Sequence, residues 1–174
     1  MQILMFRALV AALLWLPIAC TATSREGPAI VTERDGQPCF ALNEQPMSSL
    51  NAVMVYDQST RPPTYVWVAD IDPDQARKLL AGCVVYGQIF PNQKAGHLPP
   101  RALRIGQVYK VYLMAEPSDP TDPTHSYSAQ FCLVAQQGGA KPGVHQIVRN
   151  KRAAASWGGG WGDEICGLQQ PEKP

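Results

Sequence analysis

Apolar and polar positions alternate along this chain in short, strand-length segments separated by turn residues. Residues 51–56 (Asn-Ala-Val-Met-Val-Tyr) form an apolar run ended by Asp57-Gln58-Ser59-Thr60. Residues 64–69 (Thr-Tyr-Val-Trp-Val-Ala) are β-branched and aromatic and follow Pro62-Pro63. Residues 83–90 carry Val84, Val85, Tyr86, Ile89 and Phe90 and stop at Pro91-Asn92. Residues 108–115 stop at Glu116-Pro117, and a shorter candidate at 144–148 follows Pro142-Gly143. The cleanest alternation is at 127–134, with Tyr127, Ala129, Phe131 and Leu133 on one face and Ser128 and Gln130 on the other. Such spacing predicts an antiparallel all-β domain, a small β-sandwich. One helix interrupts it over 73–81. Asp72 is its cap, Pro73 suits its first position, and Gln75 completes a capping box. Ala76, Leu79 and Leu80 share a face, and Gly82 takes the left-handed closing position. Residues 117–124, with three prolines, are a loop.

The first nineteen residues read as an address. Arg7 precedes an unbroken apolar run over 8–16, then Pro17, Ile18, Ala19 and Cys20 follow. A basic start, an apolar stretch of this length and small residues before a cut make a secretory signal. Pro17 interrupts the run well short of the roughly 20 residues a membrane span needs. Leu-Pro-Ile-Ala-Cys at 16–20 resembles a bacterial lipobox, which implies lipidation of Cys20 after cleavage. The leucine stands four residues before the cysteine, where the pattern has it three before. The alternative is ordinary cleavage after Ala22, giving a soluble secreted protein. Thr21, in place of the aspartate that holds lipoproteins back at the inner membrane, implies the outer membrane by the same resemblance. Residues 20–38 are expected to be the lipidated cysteine and a flexible tether, with Gly27-Pro28 and Asp35-Gly36 as breakers. The folded domain is expected over 39–170, with a tail at 171–174.

Composition narrows the function classes. Hydrophobic residues are 45% of the 174, enough for a packed core, and charged residues are 17% with a net charge of +1. That balance excludes a nucleic-acid binder acting by phosphate neutralisation. Sixteen prolines and 14 glycines exclude a coiled coil. Of the five cysteines, Cys20 is set aside by either cut. Cys39, Cys83, Cys132 and Cys166 remain, an even set that in an exported chain reads as two disulfides. Three connectivities are open; the sequential one, Cys39–Cys83 and Cys132–Cys166, closes two moderate loops. Each bridge would stabilise by roughly 3–4 kcal/mol. A metal site fails on spacing, with no Cys-x-x-Cys and no histidine within four residues of a cysteine.

A search for catalytic chemistry finds little. His125 lies near Asp119, Asp122 and Ser126, but a triad draws its members from different rigid elements, and no Gly-x-Ser-x-Gly elbow is present. Asp163-Glu164 is a solvated pair, since glycosidase carboxylates face each other across a cleft about 5–10 Å wide. Gly158–Gly160 lacks the lysine of a phosphate loop. Arg149, Lys151 and Arg152 form a small basic patch at a strand end. No enzyme activity, cofactor or metal is expected. Trp157 and Trp161, set among glycines, either pack on the sheet or meet a partner, and they are the candidate partner-binding residues.

The placed segments resemble a group of small periplasmic immunity lipoproteins of type VI secretion systems. The resemblance rests on the lipobox-like end at Cys20, Gln37-Pro38-Cys39-Phe40, Cys83-Val84-Val85-Tyr86, the run 103–111 (Leu-Arg-Ile-Gly-Gln-Val-Tyr-Lys-Val), and Tyr127-Ser128-Ala129-Gln130-Phe131-Cys132. It covers roughly residues 20–134. The long loops at 91–102 and 116–126 and the Cys132/Cys166 pair with its tryptophan tail depart from it. The resemblance implies a non-enzymatic, membrane-held domain that binds a toxic protein effector in the periplasm. The alternative reading is an envelope lipoprotein that binds glycan or peptidoglycan or serves a structural assembly.

Overall fold

The computed structural model describes residues 25–43, 46–79, 82–91, 97–117, 119–136, 141–148 and Cys166. The described residues form eight strands: β1 (Arg25–Arg34), β2 (Gln37–Leu42), β3 (Leu50–Asp57), β4 (Thr64–Asp70), β5 (Val84–Val85), β6 (Val108–Ala115), β7 (Thr124–Val134) and β8 (Gly143–Ile147). One helix, α1 (Pro73–Arg77), and a 3₁₀ turn at Met47–Ser49 complete it. The fold class read from the sequence is what the structure shows: all-β, with one short helix and two disulfides.

The strands form one continuous sheet in the order β4-β3-β6-β7-β1-β2-β5, with β8 also on β7. All pairs are antiparallel except β1 with β7. The two layers of the expected sandwich come from this sheet curling over itself. Phe40 of β2 lies 5.4 Å from Phe131 of β7 and 6.4 Å from Trp67 of β4, ring centre to ring centre. These rings, with Tyr109 stacked on Phe131 at 5.6 Å and Tyr86 edge-on to Trp67 at 5.2 Å, fill the interior. Val53, Val55, Val111 and Leu113 complete it from the inward positions of β3 and β6, following the period-two rule. Trp67 is fully buried, and its indole N–H has no hydrogen-bond acceptor among the described residues.

The body begins earlier than the sequence suggests. The segment expected as tether contributes β1, a ten-residue strand with only Ala29 and Val31 buried. Arg25–Pro28 pair in parallel with β7, and Ala29–Arg34 then turn back on β2 through a two-residue hairpin. Asp35 (φ 54°) and Gly36 (φ 80°) both take positive φ there, the primed-turn geometry that matches strand twist. Asp35-Gly36 is thus a strand connection rather than a break in a linker.

Two further boundaries differ. The helix carries the expected capping box at Asp72 and Gln75, but it ends at Arg77 with Lys78 as its C-cap. Gly82 holds the expected left-handed conformation (φ 70°) and donates its N–H to Leu79 O. The strand expected over 83–90 reduces to Val84–Val85, because Gly87 (φ 77°) turns the chain immediately after Tyr86. Both disulfides join the expected partners, with Cα separations of 5.6 Å for Cys39–Cys83 and 5.9 Å for Cys132–Cys166. The first ties the residue before β5 to β2. The second brings Cys166 onto the outward side of β7, beside Ile147, Val108 and Val134.

Candidate functional site

Strand β7 is flanked on one edge by β6 and on the other by two strands in series. β1 accompanies it over 124–128, and β8 takes over from 130 to 134. Extending β8 by two positions past Ile147 would bring it opposite Ser128, where Pro28 of β1 already stands. The sheet therefore forks. Beyond Pro28, β1 and β8 run side by side, joined by side chains in place of a backbone ladder. Val31 N–H donates to Gln146 Oε1 at 2.7 Å, and Gln146 Nε2 donates to Ala29 O at 3.2 Å, so one amide side chain serves as a short length of strand. Val144 N–H donates to Glu33 Oε2 at 3.2 Å.

The fork opens a groove of about 810 Å³ on the outward face, lined by Glu26, Pro28, Lys110, Ser128, Gln130 and Gln146 among others. Lys110 Nζ lies 3.2 Å from Glu26 Oε1 and 2.5 Å from the Tyr112 hydroxyl. Ser128 donates its hydroxyl hydrogen to the same Glu26 oxygen. Burial opposes the Lys110 ammonium, but the hydrogen bonds to Tyr112 and Glu26 outweigh it and hold the pKa above the usual lysine value. The pair is therefore a charged but internally neutral unit at physiological pH. The ammonium also sits 4.2 Å from the Tyr112 ring centre, a cation–π contact.

Register places a ridge of tyrosines beside this site. Tyr65, Tyr56, Lys110, Gln130 and Ile147 stand opposite one another in sequence across β4, β3, β6, β7 and β8. One row further on come Val68, Met54, Tyr112, Ser128 and Pro28. Tyr56 and Tyr65 lie ring to ring at 4.2 Å, and Tyr112 meets Tyr56 edge-on at 5.5 Å. Tyr65 is 42% exposed and the other two are half-buried. Burial first, and the neighbouring Tyr65 hydroxyl second, push the Tyr56 phenol far above its ordinary value, so it stays neutral. An outward sheet face is ordinarily polar; this one carries three tyrosines, two methionines on β3 and β6, and one cation.

Cys20, Trp157 and Trp161 lie outside the described residues, as do the basic patch and Asp163-Glu164. His125 is an exposed residue of β7, while Asp119 accepts from Thr121 and Asp122 from Thr124, so these carboxylates close local turns. His97 places Nδ1 2.8 Å from Val68 O and helps hold residues 97–101 along β4. Sequence reading missed Glu26, Tyr56, Tyr65, Lys110 and Tyr112. A signal was present: in Val-Tyr-Lys-Val-Tyr the period of two puts Lys110 and Tyr112 on the face opposite the core residues Tyr109 and Val111.

The fold and face define a class of molecule, an internally stapled, curled β-sheet domain with an aromatic outward face. No family model, no curated protein and no solved structure matches the chain.

Proposed function

We propose that this is a non-enzymatic lipoprotein, held at a membrane facing the periplasm through Cys20, that binds a protein partner. In the immunity-type form of this reading the partner is a secreted toxin, which the domain neutralises by covering its working surface. The observation that carries the reading is the ridge of Tyr65, Tyr56 and Tyr112 on the outward face. Tyrosine is enriched at the centres of protein interfaces, where a rigid ring buries much area at small entropy cost and its hydroxyl still finds a partner. The scaffold below it suits that task. Two disulfides and a packed aromatic core hold the strands, so little ordering free energy is spent on binding.

The anchor geometry supports the same reading. Only four residues, 21–24, separate Cys20 from β1. At roughly 3.3–3.6 Å per extended residue they allow the domain little reach. A domain held so close to its membrane acts on partners that come to it.

The test is a pull-down from the cell-envelope fraction with the tagged full-length chain, read by mass spectrometry. A dominant co-purifying protein that is lost in Tyr56→Ser/Tyr65→Ser, with the thermal midpoint retained, is the expected result. Recovery of nothing specific, or a partner indifferent to the ridge substitutions, would overturn the reading.

A further inference from the structure

The groove at the strand fork is chemically unlike the tyrosine ridge beside it. Five polar side chains line it: Glu26, Lys110, Ser128, Gln130 and Gln146. Their hydrogen-bonding capacity is only partly spent. Glu26 Oε1 accepts from Lys110 and Ser128, and Oε2 has no partner among the described residues. Lys110 has two of its three N–H groups engaged, by Glu26 and Tyr112. The Ser128 oxygen donates to Glu26 and keeps its lone pairs, and the Gln130 amide has no partner among the described residues. Donors and acceptors therefore converge on one groove of about 810 Å³, within the usual size of small-ligand sites.

We propose that this groove binds a neutral saccharide, one or a few pyranose units, as a site separate from the protein-binding ridge. Charge and polarity select the class. The Lys110 ammonium is already matched by Glu26 at 3.2 Å, so an anionic ligand gains no unpaired cation among the described lining residues. An apolar ligand would strip water from five polar side chains and return no hydrogen bonds. A sugar supplies hydroxyls that both donate and accept, and one apolar ring face. Pro28, Ile147 and Val148 in the lining offer the matching apolar surface. A peptide strand also presents donors and acceptors, but it would need free backbone groups to pair with. The two that β1 turns toward β8, Ala29 O and Val31 N–H, are held by Gln146.

The experiment titrates the full-length chain in detergent with chitotetraose and, separately, cellotetraose, followed by ligand-observed NMR and calorimetry. Saturable binding of at least one probe is expected, weakened about tenfold or more by Lys110→Met and by Gln130→Ala. Gln130→Ala removes no hydrogen bond among the described residues and should leave the thermal midpoint unchanged, which separates lost binding from lost folding. Capture of the protein partner should survive Gln130→Ala, so failure of the saccharide site and failure of the protein-binding reading are read independently. No saturable binding of either probe, or binding indifferent to both substitutions, would overturn the proposal. Absent sugar binding together with loss of partner capture in Gln130→Ala would assign the groove to the protein partner instead.

Discussion

The Trp67 side chain is held in the core by packing alone among the described residues. Its ring is enclosed by Phe40 and Tyr86, and its N–H finds no acceptor among the described residues. Trp67→Ala should therefore cost about 3–5 kcal/mol through lost burial and a cavity. Trp67→Phe should cost clearly less, since no hydrogen bond goes with the indole; urea midpoints at constant slope check both. Asp57 makes the opposite point at the tip of β3. Burial pushes its carboxyl up, but hydrogen bonds from Ser59 and Gln107 prevail and hold its pKa below the ordinary 3.8. A depressed folded-state pKa gives stabilisation that is full above 3.8 and lost as pH falls through the lower value. Asp57→Asn should thus flatten the acid limb of the stability profile and leave its neutral side nearly parallel, measured by denaturant midpoints from neutral pH down to about pH 2. Gly27 is a third such position. A Cβ there would meet the Tyr127 ring at 2.6 Å, at the parallel β1–β7 contact. Gly27→Ala should destabilise by about 1–3 kcal/mol, because the ring is held by the core behind it.

Among the elements, legibility followed packing. β6 was readable to the residue because its tyrosines, valines and leucine alternate buried and half-exposed over eight positions. The helix start was readable from Asp72, Pro73 and Gln75, since capping is local chemistry. β1 was not, because a strand with two buried side chains and Pro28 within it carries almost no period-two signal. Its first four residues are held by β7, about a hundred residues away in the sequence, and the rest by the hairpin to β2. The groove was unreadable for the same reason: it exists only where β1 and β8 meet β7. The cysteine pairing was legible as a preference from the two moderate loops it closes, and Cys39–Cys83 joins β2 to the residue before its neighbour β5. Replacing Cys39 and Cys83 together by alanine should lower stability by roughly 3–4 kcal/mol, read from urea unfolding of the otherwise intact protein. Deleting β1 should abolish the folded state altogether, because it uncovers the β7 edge and leaves β2 paired only with the two-residue β5; far-UV circular dichroism decides it.

At the scale of the molecule the proposed function joins a lipid anchor at Cys20 to a tyrosine face that would meet a partner. Replacing Cys20 by alanine should abolish palmitate incorporation and move the protein from the membrane to the soluble fraction, whereas soluble secretion as the native state would leave fractionation unchanged. The central claim is that the tyrosine ridge meets a protein partner. A photo-crosslinking amino acid at Tyr65, on the exposed end of the ridge, tests it inside intact cells, with Thr32 on β1 as the exposed control position. The account predicts one discrete crosslinked protein from position 65 and none from position 32. Equal labelling at both positions, or no adduct at position 65 in cells that make the partner, would contradict it.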